Sequence, residues 1–87
     1  MKIIDIIMRL FGYENINNIK IQEDFIKHPP RESKMSARRM YCWVTDEFFV
    51  PIIIDENNIL QDGYTSYLIA AERKIKYVKV IRRENIR

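Results

Sequence analysis

The sequence predicts an α/β (α+β) domain, a small mixed β-sheet covered by about three helices, folded as one unit over residues 1–87. Three observations carry that expectation. Apolar residues cluster or alternate in some short stretches and recur every three or four residues in others, so the period changes from that of a strand to that of a helix along the chain. Turn formers separate those stretches: Gly12, Pro29-Pro30, Asn57-Asn58 and Asp62-Gly63. At 87 residues the chain buries only roughly 60–65% of its unfolded surface, so every element has to serve a modest core.

Residues 2–12 read as an amphipathic helix. Lys2, Asp5 and Arg9 share one side, and Ile3, Ile4, Ile6, Ile7, Leu10 and Phe11 form a wide opposite face that is expected to cover the sheet. The width of that face equally suits a docking or dimerisation helix. Gly12 can end the helix in a left-handed cap. Residues 13–18 form a polar connection. Ile19-Lys20-Ile21-Gln22 alternates as a half-buried strand does. His28-Pro29-Pro30 is a firm break, because proline restricts the residue before it, and Pro30 suits the first turn of a helix.

That next helix is expected over 31–44, with Ala37, Met40, Tyr41 and Val44 on its core face and Arg31, Lys34 and Arg38 on another side. A strand follows over 49–54, where Pro51-Ile52-Ile53-Ile54 is apolar throughout, as in a strand covered on both faces. Asp55-Glu56-Asn57-Asn58 makes a turn into a strand at 59–61. After Asp62-Gly63, the residues Tyr64, Tyr67, Leu68, Ala71 and Ile75 recur at helical spacing and define a helix over 64–74, with Leu68 and Ala71 facing the core. Val78 and Val80 alternate with Lys79 in a closing strand, 77–82. The segment beyond, to residue 87, reads as a basic, frayed end.

Pro51-Ile52, Asp55, Asp62-Gly63, Ala70-Ala71, Ile75 and Val78 fall where a shared segment of the ParB N-terminal-like superfamily, which includes sulfiredoxin, has its hallmark residues. The chain resembles that superfamily well over about a third of its length. The resemblance implies the mixed sheet above, a basic helix before the Pro-Ile strand, and a phosphate held at the Asp-Gly turn by an arginine shortly after it. Here Ser66 occupies that arginine's position, and Lys74 stands where the family has a glycine after the helix. The resemblance is thus to a degenerate member, noncatalytic in expectation.

Net charge is only +3, but its distribution is uneven. Residues 73–87 hold seven Lys/Arg against the single acid Glu84, and residues 43–62 hold Asp46, Glu47, Asp55, Glu56 and Asp62 with no base. Such asymmetry suits an anionic partner or a charged docking face. Cys42 is the only cysteine, which rules out an intrachain disulfide and points to a cytoplasmic location. Asp5 and Arg9 interrupt the isoleucine-rich start, so neither a signal peptide nor a membrane partner is expected.

His28 alone cannot build a multi-histidine metal site, and no cofactor is expected. Cys42 reads as a buried helix residue. Asp46, Glu47, Asp55 and Glu56 could offer hard-metal oxygens, but as turn acids they are expected to be solvated. The best site candidate is Asp62-Gly63-Tyr64-Thr65-Ser66. Gly63 permits a sharp turn, the helix start offers unpaired N–H groups, and Thr65 and Ser66 add hydroxyls. The competing reading is that Asp62 caps the helix. The second candidate is the middle helix, where Arg31, Lys34, Arg38 and Arg39 could meet phosphates and Trp43 or Tyr41 could stack on a base.

Three functions remain open at this point. One is a noncatalytic ParB-like module binding DNA or RNA through the basic helix and the basic C-terminal strand. A second is a small phage or plasmid protein that inhibits a protein partner, for example an anti-CRISPR-type nuclease inhibitor, with the acidic strip imitating phosphates. The third is a nucleotide-binding or hydrolysing enzyme, which the loss of the turn arginine disfavours.

Overall fold

The structure, a computed structural model, describes residues 2–84. Its elements in order are α1 (Ile3–Leu10), β1 (Tyr13–Asn15), a 3-10 turn (Ile16–Asn18), α2 (Glu23–Lys27), α3 (Glu32–Thr45), β2 (Ile52–Ile54), β3 (Leu60–Asp62), α4 (Tyr64–Glu72) and β4 (Tyr77–Arg82). The strands form one mixed sheet in the order β1-β4-β2-β3. β4 lies antiparallel to β1 and parallel to β2, and β2 and β3 form an antiparallel hairpin. This is the α+β class that the change of period predicts.

The isoleucine run of β2 is buried throughout, as its lack of polar residues requires. Ile52 and Ile54 meet Leu60, Ala70, Val78, Ile16 and Ile19 in the main core. The hairpin turn depends on Asp55, which is almost fully buried. Its Oδ1 accepts the N–H groups of Asn57 and Ile59 at 2.8 and 2.9 Å, and its Oδ2 accepts the Gln61 amide at 3.2 Å. The carboxylate therefore replaces partners that the backbone of a tight turn would lack. It is neither solvated nor free for a metal, and the acidic strip over 43–62 is not one continuous surface.

Residues 19–22 do not form a strand. Only Lys20 pairs, as a single parallel bridge to Ile59, before Gln22 opens α2. The alternation of Ile19 and Ile21 reflects packing of an irregular segment on the core. The unanticipated strand is β1, inside the stretch read as polar, because its central Glu14 is buried by ion pairs and not by apolarity.

Three helices turn differently from the periodicity. On α4 the buried residues are Thr65, Ser66, Ile69 and Ala70, with Leu68 half-buried and Ala71 exposed. Small side chains face inward because the helix start sits hard against the chain entering β2: the Ser66 hydroxyl donates to the Val50 carbonyl at 2.6 Å. Tyr64 and Tyr67 are partly buried against the main core, as expected, and Tyr64 also packs on Phe25 with ring centroids 5.3 Å apart. On α3 the inner residues are Met35 and Cys42, which join Ile69 in a second cluster. Ala37, Met40, Tyr41 and Val44, expected inside, are exposed.

The inversion is complete on α1. Asp5 is buried and the isoleucine face points to solvent. Asp5 accepts hydrogen bonds from the Tyr77 hydroxyl at 2.7 Å and the Asn15 amide at 3.5 Å. Arg9 donates to the buried Glu14 at 2.8 Å, and Arg82 reaches the same carboxylate from β4. An unpaired buried carboxylate at Glu14 is far costlier than exposed isoleucines, so the helix turns its charges inward.

Candidate anion site

Gly63 fixes the geometry of the turn into α4. It adopts φ 86°, and a Cβ there would lie 2.2 Å from the Pro51 carbonyl oxygen, so only glycine fits. The close approach positions the start of α4 beside the segment leading into β2. Gly63 itself is the N-cap, without a side-chain cap bond. Asp62 does not cap the helix; its Oδ1 accepts the Gly63 N–H at 2.8 Å. The N–H groups of the first turn of α4 have no intrahelical partner and carry the positive end of the helix dipole.

α3 lies beside this turn and brings Lys34 and Arg38 onto it. Together with Phe25, His28, Val50, Asp62, Gly63, Tyr64 and Thr65 they enclose an open cleft of about 250 Å³. Arg38 is held by an aromatic platform: its guanidinium carbon sits 3.7 Å above the Phe49 ring, which in turn meets Tyr41 edge-on at 5.1 Å. The positive charge absent from the turn is therefore supplied by the middle helix, one turn apart at Lys34 and Arg38. Two cationic side chains, Lys34 and Arg38, thus face one carboxylate, Asp62, in the cleft lining.

The other candidates separate from this cleft. Arg39 is engaged elsewhere, donating to Glu72 at 2.7 and 3.0 Å and to Glu32 at 2.7 Å, which clamps α3 to α4. The bonds to Glu72 and Glu32 raise the Arg39 pKa, and Arg39 in turn holds Glu72 below the usual carboxylate range. Ser66 is buried with its hydroxyl committed to Val50, and Thr65 is buried at the cleft wall. Arg31 is exposed and does not line the cleft. Trp43 is 76% exposed. At 3.6 residues per turn it lies about 140° round α3 from Arg38, so it cannot stack on a group held in the cleft.

The basic C-terminal strand does not join the basic helix either. Val78 packs into the core with Ala70 of α4, so Lys79, alternating with it, leaves the opposite face of the sheet. Arg82 is bound to Glu14 and Asn58. Arg87 lies outside the described residues. Phe25, His28, Pro30 and Val50 also line the cleft and were not among the expected binding residues; the His28-Pro29-Pro30 break was the available signal, since it lies between α2 and the start of α3.

Among the described residues no helix is long and apolar enough to cross a membrane. No group of three or more His, Cys, Asp or Glu that could hold a metal occurs among them.

No family model matches the chain. It is similar in structure to a Pnob8-like ParB-N domain, with a TM-score of 0.69 and 24% identity over 85% of this chain and 29% of that one. A second structure of the pNOB8-like ParB N-domain gives a TM-score of 0.61 and 23% identity, covering 80% of this chain and 25% of that one. At these identities the likeness is one of fold, and the chain has a ParB-N-like fold. In sequence it is 38% identical over 76 residues to the uncharacterized protein ORF326b of Acidianus two-tailed virus, covering 85% of this chain and 23% of that protein. The chain thus spans about a quarter of the length of the viral protein it matches.

Proposed function

We propose that this chain is a noncatalytic ParB-like binding module acting in nucleic-acid metabolism, and that it holds a phosphate group in the cleft between α3 and the Gly63 turn. One observation carries the reading: Lys34 and Arg38 converge from α3 on the unpaired N–H groups that open α4. Lys34 and Arg38 take the phosphate oxygens, and the helix start adds its backbone donors. Asp62 opposes the anion, so binding is weak. The ParB-N-like fold and the likeness to a viral protein accord with a role of this kind in a mobile element.

The absence of an arginine within the turn and the commitment of Ser66 to Val50 leave no activated group for hydrolysis. Nuclear magnetic resonance titration with a nucleoside triphosphate, and separately with a DNA oligonucleotide, tests the reading. The Gly63, Tyr64 and Thr65 amides are expected to shift, with affinity falling about tenfold in Lys34→Ala or Arg38→Ala and rising in Asp62→Asn. Binding that is unmoved by these substitutions overturns the site. Magnesium-dependent nucleotide turnover that is lost in Arg38→Ala overturns its noncatalytic character.

The second reading, a protein-binding inhibitor, is favoured by the exposed apolar side chains Met40, Trp43 and Val44 on α3. Loss of a protein partner in Trp43→Ala, with no anion binding in the titration, selects it.

A further inference from the structure

Helix α1 presents to solvent a face without a charged group. Ile3, Leu10 and Phe11 are 76, 80 and 70% exposed, and Ile4, Ile6 and Ile7 are between 43 and 48%. At 3.6 residues per turn these six side chains form one stripe roughly 160° wide. The charges that would ordinarily occupy a solvent face are consumed inside the fold, Asp5 by Tyr77 and Asn15, Arg9 by Glu14. We propose that this stripe binds a second copy of the chain, α1 against α1, antiparallel about a two-fold axis.

Area, symmetry and chemistry select that occupant. Six large apolar side chains at these exposures offer several hundred Å² in one patch, the scale of one side of a standard interface at about 800 Å² per partner. Ile3, Ile6, Ile7 and Leu10 repeat at the three- and four-residue spacing of a two-helix seam. A two-fold axis near Ile6 and Ile7 sets Ile3 of one copy opposite Leu10 of the other, so the stripe is complementary to itself. A helix lying on a membrane needs Lys and Arg along its polar flank to reach headgroups. Here that flank is docked on β1 and β4, leaving Lys2 as its one exposed base. The stripe also offers no hydrogen-bonding side chain by which an unlike partner would be read. None of the six stripe residues lines the anion cleft, so the pairing does not depend on the anion reading.

Sedimentation equilibrium of the 87-residue chain is expected to show a reversible monomer–dimer equilibrium in the micromolar range. Ile3→Glu and Leu10→Lys suit the dipole at their respective ends of α1, and each is expected to weaken association at least about tenfold with unchanged circular dichroism. Combined in one chain they are expected to recover most of the dimer, because the opposite charges meet across the two-fold axis. Ile7→Cys, close to the axis, is expected to give a disulfide-linked dimer under mild oxidation while the buried Cys42 stays reduced. A chain that stays monomeric up to its solubility limit overturns the proposal, as does a dimer that both charge variants leave intact. Binding of the monomer to phosphatidylcholine–phosphatidylglycerol vesicles through Ile3 and Leu10 overturns it in favour of a lipid surface.

Discussion

Helices α1 and α4 are both rich in apolar side chains, and the fold uses them in opposite ways. α4 buries Ala70 against a sheet that meets it with isoleucine and valine, Ile69 against α3, and the hydroxyl residues Thr65 and Ser66 at its start. α1 buries Asp5 and leaves its isoleucines outside, against a part of the sheet that meets it with Glu14, Asn15 and Tyr77. The difference shows that a helix does not choose its inner face alone. Apolar burial is non-directional and can be satisfied by any surface, including that of another molecule. A buried carboxylate needs specific donors at specific places and therefore sets the rotation of the helix that carries them.

The α4 side of this contrast is expected to break most severely at Gly63. In Gly63→Ala the new methyl meets the backbone of Pro51 and Ile52, neither of which can swing away as a side chain would. A loss of more than about 4 kcal/mol, or failure to fold, is expected in chemical denaturation.

On the α1 side the equivalent change is Glu14→Ala, which leaves Arg9 and Arg82 without their shared partner. Because both arginines keep about a third of their surface, the cost is expected near the low end of that for a broken buried pair, about 3 kcal/mol. Its pH dependence sharpens the test. Burial pushes the Glu14 carboxyl up, but Arg9, the Asn15 N–H, Arg82 and Asn18 together bring it below its ordinary value near 4.5. The Tyr77 hydroxyl does the same for Asp5, from near 3.8, and Asp5 in return raises the Tyr77 pKa. Depressed carboxylates stabilise the fold above their unfolded values, and that contribution is lost as pH falls through their folded ones. Melting temperature is therefore expected to fall on acidification below about pH 4.5, and less steeply in Glu14→Gln.

The cores differ in the same sense. Ile69→Ala is expected to cost about 2–5 kcal/mol, since Ile69 is the buried side chain through which α4 joins Met35 and Cys42 of α3. Leu68→Ala should cost less, because Leu68 is only half-buried.

Lys74 closes α4 in a left-handed conformation, φ 57°, with the Ile75 N–H bonded to the Ala70 carbonyl and its own N–H to that of Ala71. Glycine is free of the Cβ penalty there, so Lys74→Gly is expected to stabilise by about 1 kcal/mol in the same denaturation assay. Ile3→Ser, at the far end of the scale, is expected to change the stability of the monomer by no more than about 0.5 kcal/mol.

Much of this was legible in the chain. The Asp62-Gly63 break, the isoleucine run of β2, the helix after Gly63 and the alternation of Val78, Lys79 and Val80 all declare themselves through local period and turn chemistry. Lys74, which stands where the resembling superfamily has a glycine, adopts a left-handed backbone that only the structure revealed. The candidate site was half legible: Gly63, Tyr64 and Thr65 follow from the turn, and Lys34 and Arg38 stood out as bases on one side of a helix. Nothing local distinguished Arg38, which reaches the cleft over Phe49, from Arg39, which clamps Glu72. Those two are adjacent in sequence and about 100° apart on the helix, so only the packing partner of α3 separates their roles.

The amino-acid sequence determined the main turns and the elements from α3 to β4, because these depend on neighbours within a few residues, but not β1 or the irregular segment at 19–22, which depend on distant partners. Tertiary structure decided which side of each helix faces inward, because that depends on the surface each one meets. β2 and its neighbours offered α4 a carbonyl and apolar side chains, and small residues turned towards them. β1 and β4 offered α1 a buried carboxylate and a tyrosine hydroxyl, and the few charges of α1 outweighed its many isoleucines, since an unsatisfied buried charge costs more than exposed hydrocarbon.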